Sequence, residues 1–101
     1  MILVITRMKV HPEKRRELSQ TIASLVSFTR MEKGCRRYDF CQSTEEENSL
    51  FLLEEWDTEK KLMTHRKSEH FKVLRGAMNL LREPYETKLL TAFHPVWLDD
   101  V

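Results

Sequence analysis

The chain has 101 residues, of which 41% are hydrophobic and 33% charged, a size and composition that suit one soluble domain with a packed core. Its 17 Lys and Arg nearly balance 16 Asp and Glu, and the formal charge of +1 offers no electrostatic basis for binding nucleic acid or an anionic membrane. No apolar run approaches the roughly 18 residues that a membrane span requires.

The amino terminus and the two cysteines indicate a cytoplasmic protein. The apolar run of residues 1–5 is too short for the core of a signal peptide. Cys35 and Cys41 lie in one predicted strand, separated by about 20 Å at ~3.3 Å per residue, so we expect two reduced thiols and no disulfide. We expect residues 1–101 to form a single domain, with a core over 1–93 and a tail over 94–101.

The first half of the chain predicts a strand, a helix and a second strand. Residues 1–10 are rich in apolar and β-branched side chains and predict a strand that His11 and Pro12 end. Apolar residues then recur at helical spacing, which predicts a helix over about 12–31 with Gly34 in its C-terminal stop. Residues 35–41 alternate between polar and apolar and predict a strand, and the polar residues 45–48, three Glu and one Asn, predict a solvated hairpin tip.

The second half predicts two strands separated by a pair of helices. Residues 50–56 predict a strand, and Thr58 offers an N-cap for a short helix over 58–67. Ser68 can cap a further helix, whose apolar stripe runs through Phe71, Leu74, Ala77, Met78 and Leu81. Pro84 ends that helix, and residues 85–93 predict the last strand.

The order of elements predicts a ferredoxin-like α+β fold. The pattern βαββαβ gives a four-stranded antiparallel sheet with the helices on one face. Residues 2–5 and 50–53 supply apolar side chains to both faces of that sheet, so the face without helices also needs a cover. A second copy of the same sheet would provide one, and we therefore expect a homodimer.

Two motifs give the chain a resemblance to a known family. One is Glu-x-Gly-Cys-x-x-Tyr, in residues 32–38; the other is Glu-x-Trp at the end of a strand, in residues 54–56, followed by His-x-x-Ser-x-His-Phe in residues 65–71. With them the chain resembles the antibiotic biosynthesis monooxygenase (ABM) domain, over about residues 2–93 and with the motifs in matching order.

The resemblance implies a dimeric α/β barrel, in which the sheets of two subunits pack face to face and each subunit has a pocket between sheet and helices. Some ABM domains oxidise quinols or polycyclic phenols with oxygen and without metal or flavin. Others isomerise a phosphorylated signalling sugar, and a divergent branch degrades haem. On this basis we expect no cofactor.

Two of these branches fit the sequence less well. The haem-degrading branch has Asn, Trp and His where this chain has Thr6 or Arg7, His65 and a position near Arg75. The sugar isomerases share His65 and an acidic residue like Asp39, but they carry paired lysines where this chain reads Ser-Leu-Val-Ser at 24–27. The resemblance therefore favours a quinol-monooxygenase-like protein.

His65 is the predicted catalytic residue. It follows Leu62 by three positions and should share the inward face of its helix. An imidazole in an apolar pocket can accept a proton from a phenol near neutral pH, which makes a quinol a better electron donor to oxygen. The alternative is a structural histidine that bonds to a strand carbonyl or to Glu54, and the sequence leaves both open.

The predicted substrate-binding residues are Tyr38, Glu54, Trp56, Phe71 and Met78. Glu54 and Trp56 share one face of a strand, where Glu54 could orient His65 and Trp56 could form a wall for a flat substrate. For Glu54, an ion pair with an arginine is the alternative, and the sequence leaves both open. For the aromatic and apolar members, a plain core role is the alternative. His65 and His70 are five apart, which is not metal-ligand spacing on a helix, so we expect no metal site.

Three functions remain open at this point. The first is a cofactor-independent monooxygenase that acts on a quinol-like or polyphenolic molecule. The second is a dimeric module that binds a small molecule without chemistry. The third is an isomerase of a small phosphorylated sugar, which would need a cationic subsite that Arg7, Arg36 or Arg37 could supply.

Overall fold

A computed structural model describes residues 1–91 and 94–98 of the chain. The strands are β1 (Ile2–Lys9), β2 (Cys35–Gln42), β3 (Ser49–Trp56) and β4 (Glu86–Leu90), and the helices are α1 (Arg15–Arg30), α2 (Glu59–His65) and α3 (Glu69–Ala77). Short 3-10 turns at Pro12–Lys14 and Met78–Leu80 precede α1 and follow α3. This is the βαββαβ order that the sequence predicts.

The four strands form one antiparallel sheet in the order β2-β3-β1-β4. The helices lie on one face, as predicted. The burial of the β1 side chains alternates accordingly: Ile2, Val4, Thr6 and Met8 are buried, whereas the residues between them are half-buried or exposed. Strand β1 occupies the interior of the sheet because it pairs with β3 on one side and β4 on the other.

Local sequence signals define both ends of the helix pair. The Thr58 side chain accepts a hydrogen bond from the backbone N–H of Lys61 at the start of α2. The Ser68 side chain accepts one from the backbone N–H of Phe71 at the start of α3. Both predicted N-caps are therefore confirmed, and they fix the sharp corner at which the chain turns from α2 into α3.

Helix α3 is shorter than its apolar stripe predicts. The backbone leaves the helical conformation at Leu81, where ψ is 146°. Leu81 instead forms a β-bridge with Val10, and the N–H of Arg82 donates to the carbonyl of Lys9 at 3.0 Å. Leu81 still packs against the core, but from an extended segment that the continuation of β1 holds in place.

The last strand is also shorter than predicted. Strand β4 covers Glu86–Leu90, so Tyr85 and Thr91 of the predicted strand lie outside it, and its pairing with β1 ends at Leu3 opposite Leu90. Beyond that pair, β1 has almost no residues left to which β4 could bond. Residues 92 and 93 of the predicted strand and residues 99–101 of the tail lie outside the described part of the chain.

The face of the sheet without helices carries apolar side chains at its centre. Leu3, Ile5, Phe51 and Leu53 are half-buried there, and Leu90 on the edge strand is 51% exposed. In the tail, Val96, Trp97 and Leu98 are also largely exposed to solvent in the single chain. No helix in the described residues is long and apolar enough to cross a membrane.

Candidate functional site

His65 lies at the end of α2 with only 3% of its surface exposed. Its neighbour on the inward face is the fully buried Leu62, as the three-residue spacing predicts. The ring atom Nδ1 lies 2.6 Å from Oε2 of Glu32, which comes from the turn between α1 and β2. Burial lowers the pKa of His65, and the nearby carboxylate of Glu32 partly offsets that effect.

Three aromatic rings surround this imidazole. The His65 ring stacks on Trp56 with centroids 4.8 Å apart, and it meets Tyr38 and Phe71 edge-on at 5.9 and 5.5 Å. Tyr38 is 2% exposed, and burial raises the pKa of its phenol, which keeps the hydroxyl protonated. Four of the predicted site residues thus form one aromatic cluster in the core.

Glu54 bonds to Trp56 and not to His65. The Nε1–H of Trp56 donates to Oε1 of Glu54 at 2.9 Å, so Glu54 does not orient His65 directly, which the sequence left open, and Glu32 contacts the imidazole instead. Glu54 is only 5% exposed. Burial raises the pKa of this carboxyl, and the bond from Trp56 and the charge of Arg66 oppose the shift without cancelling it.

A cavity lies between the sheet and α3 and opens to solvent. Its enclosed part has a volume of about 20 Å³, room for about one water molecule, and the void is about 380 Å³ with the open mouth included. The lining residues are Thr6, Met8, Leu52, Glu54, Arg66, Phe71, Leu74, Arg75, Met78, Tyr85 and Thr87.

The cavity separates the predicted site residues into two groups. Glu54, Phe71 and Met78 line it. His65, Tyr38 and Trp56 do not line it, and they lie behind the wall that Glu54 and Phe71 form. Trp56 connects the two groups, because it stacks on His65 and donates a hydrogen bond to Glu54.

Positive charge reaches the cavity from residues that the sequence analysis did not single out. The guanidinium carbon atoms of Arg66 and Arg75 lie 4.6 and 5.2 Å from the centroid of the Phe71 ring. Both arginines line the cavity, Arg66 from the C-terminal end of α2 and Arg75 from the last turn of α3. Such contacts combine a cation–π attraction with coverage of the ring.

The predicted cationic residues lie elsewhere. Arg36 forms an ion pair with Asp57, and Arg37 pairs with Asp39 and Glu55 at 2.9 and 2.7 Å. Arg7 points to the exposed face of β1, away from the helices. None of the three lines the cavity between sheet and α3.

Sequence reasoning missed Glu32, Arg66 and Arg75 as residues of the site. Glu32 opens the Glu-x-Gly-Cys-x-x-Tyr motif, and Gly34, two residues later, is the signal of a tight turn at this point of the chain. Among residues 1–91 and 94–98, no three His, Cys, Asp or Glu side chains cluster so that they could hold a metal ion. Cys35 and Cys41 are free thiols, as predicted.

Comparison with known proteins defines the family. The family model described as "Antibiotic biosynthesis monooxygenase" matches residues 1–77. The chain belongs to the antibiotic biosynthesis monooxygenase family. Among its relatives is a Bacillus subtilis protein named "Putative monooxygenase YcnE", which is 38% identical over 71 residues, 70% of this chain and 75% of the relative. The Mycobacterium tuberculosis protein "Putative monooxygenase Rv0793" is 31% identical over 90 residues, 88% of each chain.

Solved structures of ABM proteins and related chains share the fold. The structure of Rv0793 superposes with a TM-score of 0.88 at 29% identity, covering 95% of this chain and 98% of the other. A conserved protein from Methanosarcina mazei gives a TM-score of 0.84 at 33% identity, covering 88% and 89%. The predicted ferredoxin-like α+β architecture and the predicted ABM resemblance are both confirmed.

Proposed function

We propose that this ABM protein is a monooxygenase that hydroxylates a quinol-like or polyphenolic molecule in the cavity between the sheet and α3, without a bound cofactor. Membership of the family and the names of two relatives support a monooxygenase-type function. The observation that carries the proposal for this chain is a buried carboxyl, Glu54, in the wall of a cavity that apolar side chains such as Leu52, Phe71 and Met78 also line.

The proposed reaction balances without an added reductant. A quinol with one free ring position reacts with O₂ to give a hydroxyquinone and water. One oxygen atom enters the ring C–H bond and the other leaves as water. The quinol supplies all four electrons, two from its oxidation to the quinone level and two from hydroxylation. The protein has to remove a proton from a phenolic hydroxyl, since the phenolate donates electrons to oxygen more readily.

Glu54 is the proton acceptor in this proposal. A carboxyl whose pKa is raised by burial is a stronger base than an exposed one, which brings it closer to a phenol in proton affinity. The hydrogen bond from Trp56 holds Oε1, and the second oxygen is left for the substrate. Arg66 lies close enough to lower the pKa of Glu54 and can likewise stabilise a phenolate.

His65, the residue predicted from sequence to be the base, has a different place in this scheme. Its ring is buried behind Trp56, and its Nδ1 faces Glu32. We propose that His65 is a positioning residue: it holds the Trp56 ring, which in turn holds Glu54. Direct proton transfer by His65 is the competing assignment, and the two differ in what happens when each residue is replaced.

Oxygen uptake with a panel of hydroquinones tests both assignments. In the wild type, kcat should rise with pH as Glu54 loses its proton and becomes able to act as the base. Glu54→Gln keeps an oxygen for the Trp56 bond but cannot take up the proton, so we expect kcat to fall by about 10²–10⁴-fold and to lose this dependence on pH. His65→Asn should reduce kcat less and keep the pH profile. Glu69→Gln makes the same chemical change on the exposed start of α3 and should match wild type.

Other outcomes reassign the roles. If His65→Asn abolishes the pH profile while Glu54→Gln keeps it, His65 is the base. If the wild type oxidises no quinol above background but binds one, the protein is a small-molecule-binding module. A flavin or haem absorption band that copurifies with activity would contradict cofactor independence.

We also propose that the protein works as a homodimer through the face of the sheet without helices. Phe51 and Leu53 on β3 and Leu3 and Ile5 on β1 bring apolar side chains together there, and an unpartnered apolar patch of this kind marks an interaction surface. A second copy offers the same patch, which an isologous two-fold contact would cover.

A further inference from the structure

Two arginines, Arg66 and Arg75, give the mouth of the proposed substrate cavity a positive charge. Arg66 and Arg75 approach the same ring, that of Phe71, from two helices. Arg66 is half-buried and Arg75 exposed, so the guanidinium groups lie where the cavity meets solvent. All three side chains line the cavity, and both guanidinium groups lie near the Phe71 ring.

These two arginines differ from most others in the described part of the chain. Arg15, Arg30, Arg36, Arg37 and Arg82 each form an ion pair with an Asp or Glu side chain. Within residues 1–91 and 94–98, neither Arg66 nor Arg75 has a carboxylate at ion-pair distance. The five N–H donors of each guanidinium therefore have no charged acceptor among those residues.

The other polar groups of the cavity leave that charge in place. Among the described residues that line the cavity, Glu54 is the one with a carboxyl group, and it is buried in the wall with Trp56 as its hydrogen-bond partner. Thr6 and Thr87 place their hydroxyl oxygens 3.4 Å apart and are neutral. The cavity is thus polarised, with apolar side chains and one carboxyl inside and two cations at the entrance.

We propose that the substrate is an aromatic quinol that carries a carboxylate, which Arg66 and Arg75 bind at the mouth while the ring packs against Phe71 and Met78. This inference rests on the proposed function in that it assigns the substrate to the same cavity. A guanidinium matches a carboxylate with two parallel hydrogen bonds, and the pair fixes the orientation of the ring. One phenolic hydroxyl is then directed inward, toward Glu54.

A matched pair of ligands isolates the charge. 2,5-Dihydroxyphenylacetate and its methyl ester have the same quinol ring and differ in the carboxylate. Titration calorimetry without oxygen measures their affinities before any turnover. We expect the acid to bind about tenfold more tightly than the ester, the low end for a charged hydrogen bond because Arg75 is exposed. Higher salt should reduce that preference.

Substitution assigns the preference to the two arginines. In the double variant Arg66→Gln with Arg75→Gln, acid and ester should bind equally, while circular dichroism checks that the fold is kept. Arg16→Gln removes one positive charge from the exposed side of α1 and should keep the tenfold preference. Equal binding of the two ligands by the wild type, a preference that survives in the double variant, or no binding of either ligand at millimolar concentration would overturn the inference.

Oxygen uptake with the same two ligands separates this inference from the proposed function. If the protein prefers the acid through Arg66 and Arg75 but oxidises neither ligand, the anion subsite stands and the monooxygenase assignment fails. If it binds the ester with the same affinity as the acid and oxidises both, the monooxygenase assignment stands and the anion subsite fails.

Discussion

Gly34 is the position where one added methyl group should disturb the site most. Its backbone has a φ of 86°, in the left-handed region that costs an L-residue roughly 1–2 kcal/mol. A Cβ atom there would also lie 2.5 Å from Cγ and 2.6 Å from Cβ of Lys61 in α2. The Lys61 Cβ cannot rotate away, so either α2 or the turn must move. We therefore expect Gly34→Ala to cost about 2 kcal/mol or more.

Gly76 provides a matched control, because the same substitution should raise the stability of the protein there. It lies in α3, and a Cβ at this position would meet nothing within 4 Å. Because alanine is favoured over glycine inside a helix, Gly76→Ala should stabilise the protein by about 0.5–1 kcal/mol. The same Gly→Ala change should thus give effects of opposite sign at two positions.

Thermal unfolding at equal protomer concentration measures both variants. For a domain of this size, 1 kcal/mol corresponds to about 4–8 °C in Tm. Gly34→Ala should therefore melt about 8 °C or more below wild type, and Gly76→Ala a few degrees above it. The carbonyl oxygen of Gly34 also accepts a hydrogen bond from the backbone N–H of Asp57. Because Gly34 follows Glu32 by two residues, a displacement of Gly34 should weaken the Glu32–His65 contact. A Gly34→Ala protein as stable as wild type would refute this reasoning.

Two further predictions concern the interface and the buried histidine. Light scattering should give twice the 12.1 kDa chain mass for wild type but a monomer for Leu53→Glu, whereas the control Met63→Glu on α2 should stay dimeric. Deletion of residues 95–101, which include the exposed Trp97, should weaken the dimer. A wild-type monomer at micromolar concentration contradicts both. Because burial lowers the pKa of His65 below 6.5, the unfolded state binds more protons there, and stability relative to His65→Gln should fall as pH drops below about 6.5. If the difference in unfolding free energy between wild type and His65→Gln does not change from pH 8 to pH 5, His65 is not a neutral, buried histidine.

The elements and the faces of this fold follow from local sequence. Thr58 and Ser68 were identified as N-caps because a hydroxyl before a helix can satisfy the first free N–H groups, and that requirement is met within three residues. The three-residue step from Leu62 to His65 assigned both residues to one buried face, because the helical period of 3.6 needs no knowledge of the rest of the chain.

Only the tertiary structure decided which side chains meet across elements. From the sequence, Glu54 was the carboxyl that could orient His65 and Glu32 was not considered, because the contact of His65 with Glu32 joins residues 33 positions apart through the turn at Gly34. Likewise, Arg66 and Arg75 share the Phe71 ring because α2 and α3 meet at a capped corner. Periodicity determines the face on which a residue lies. The angle and distance between packed elements determine its partner, and these depend on the shape of the whole core.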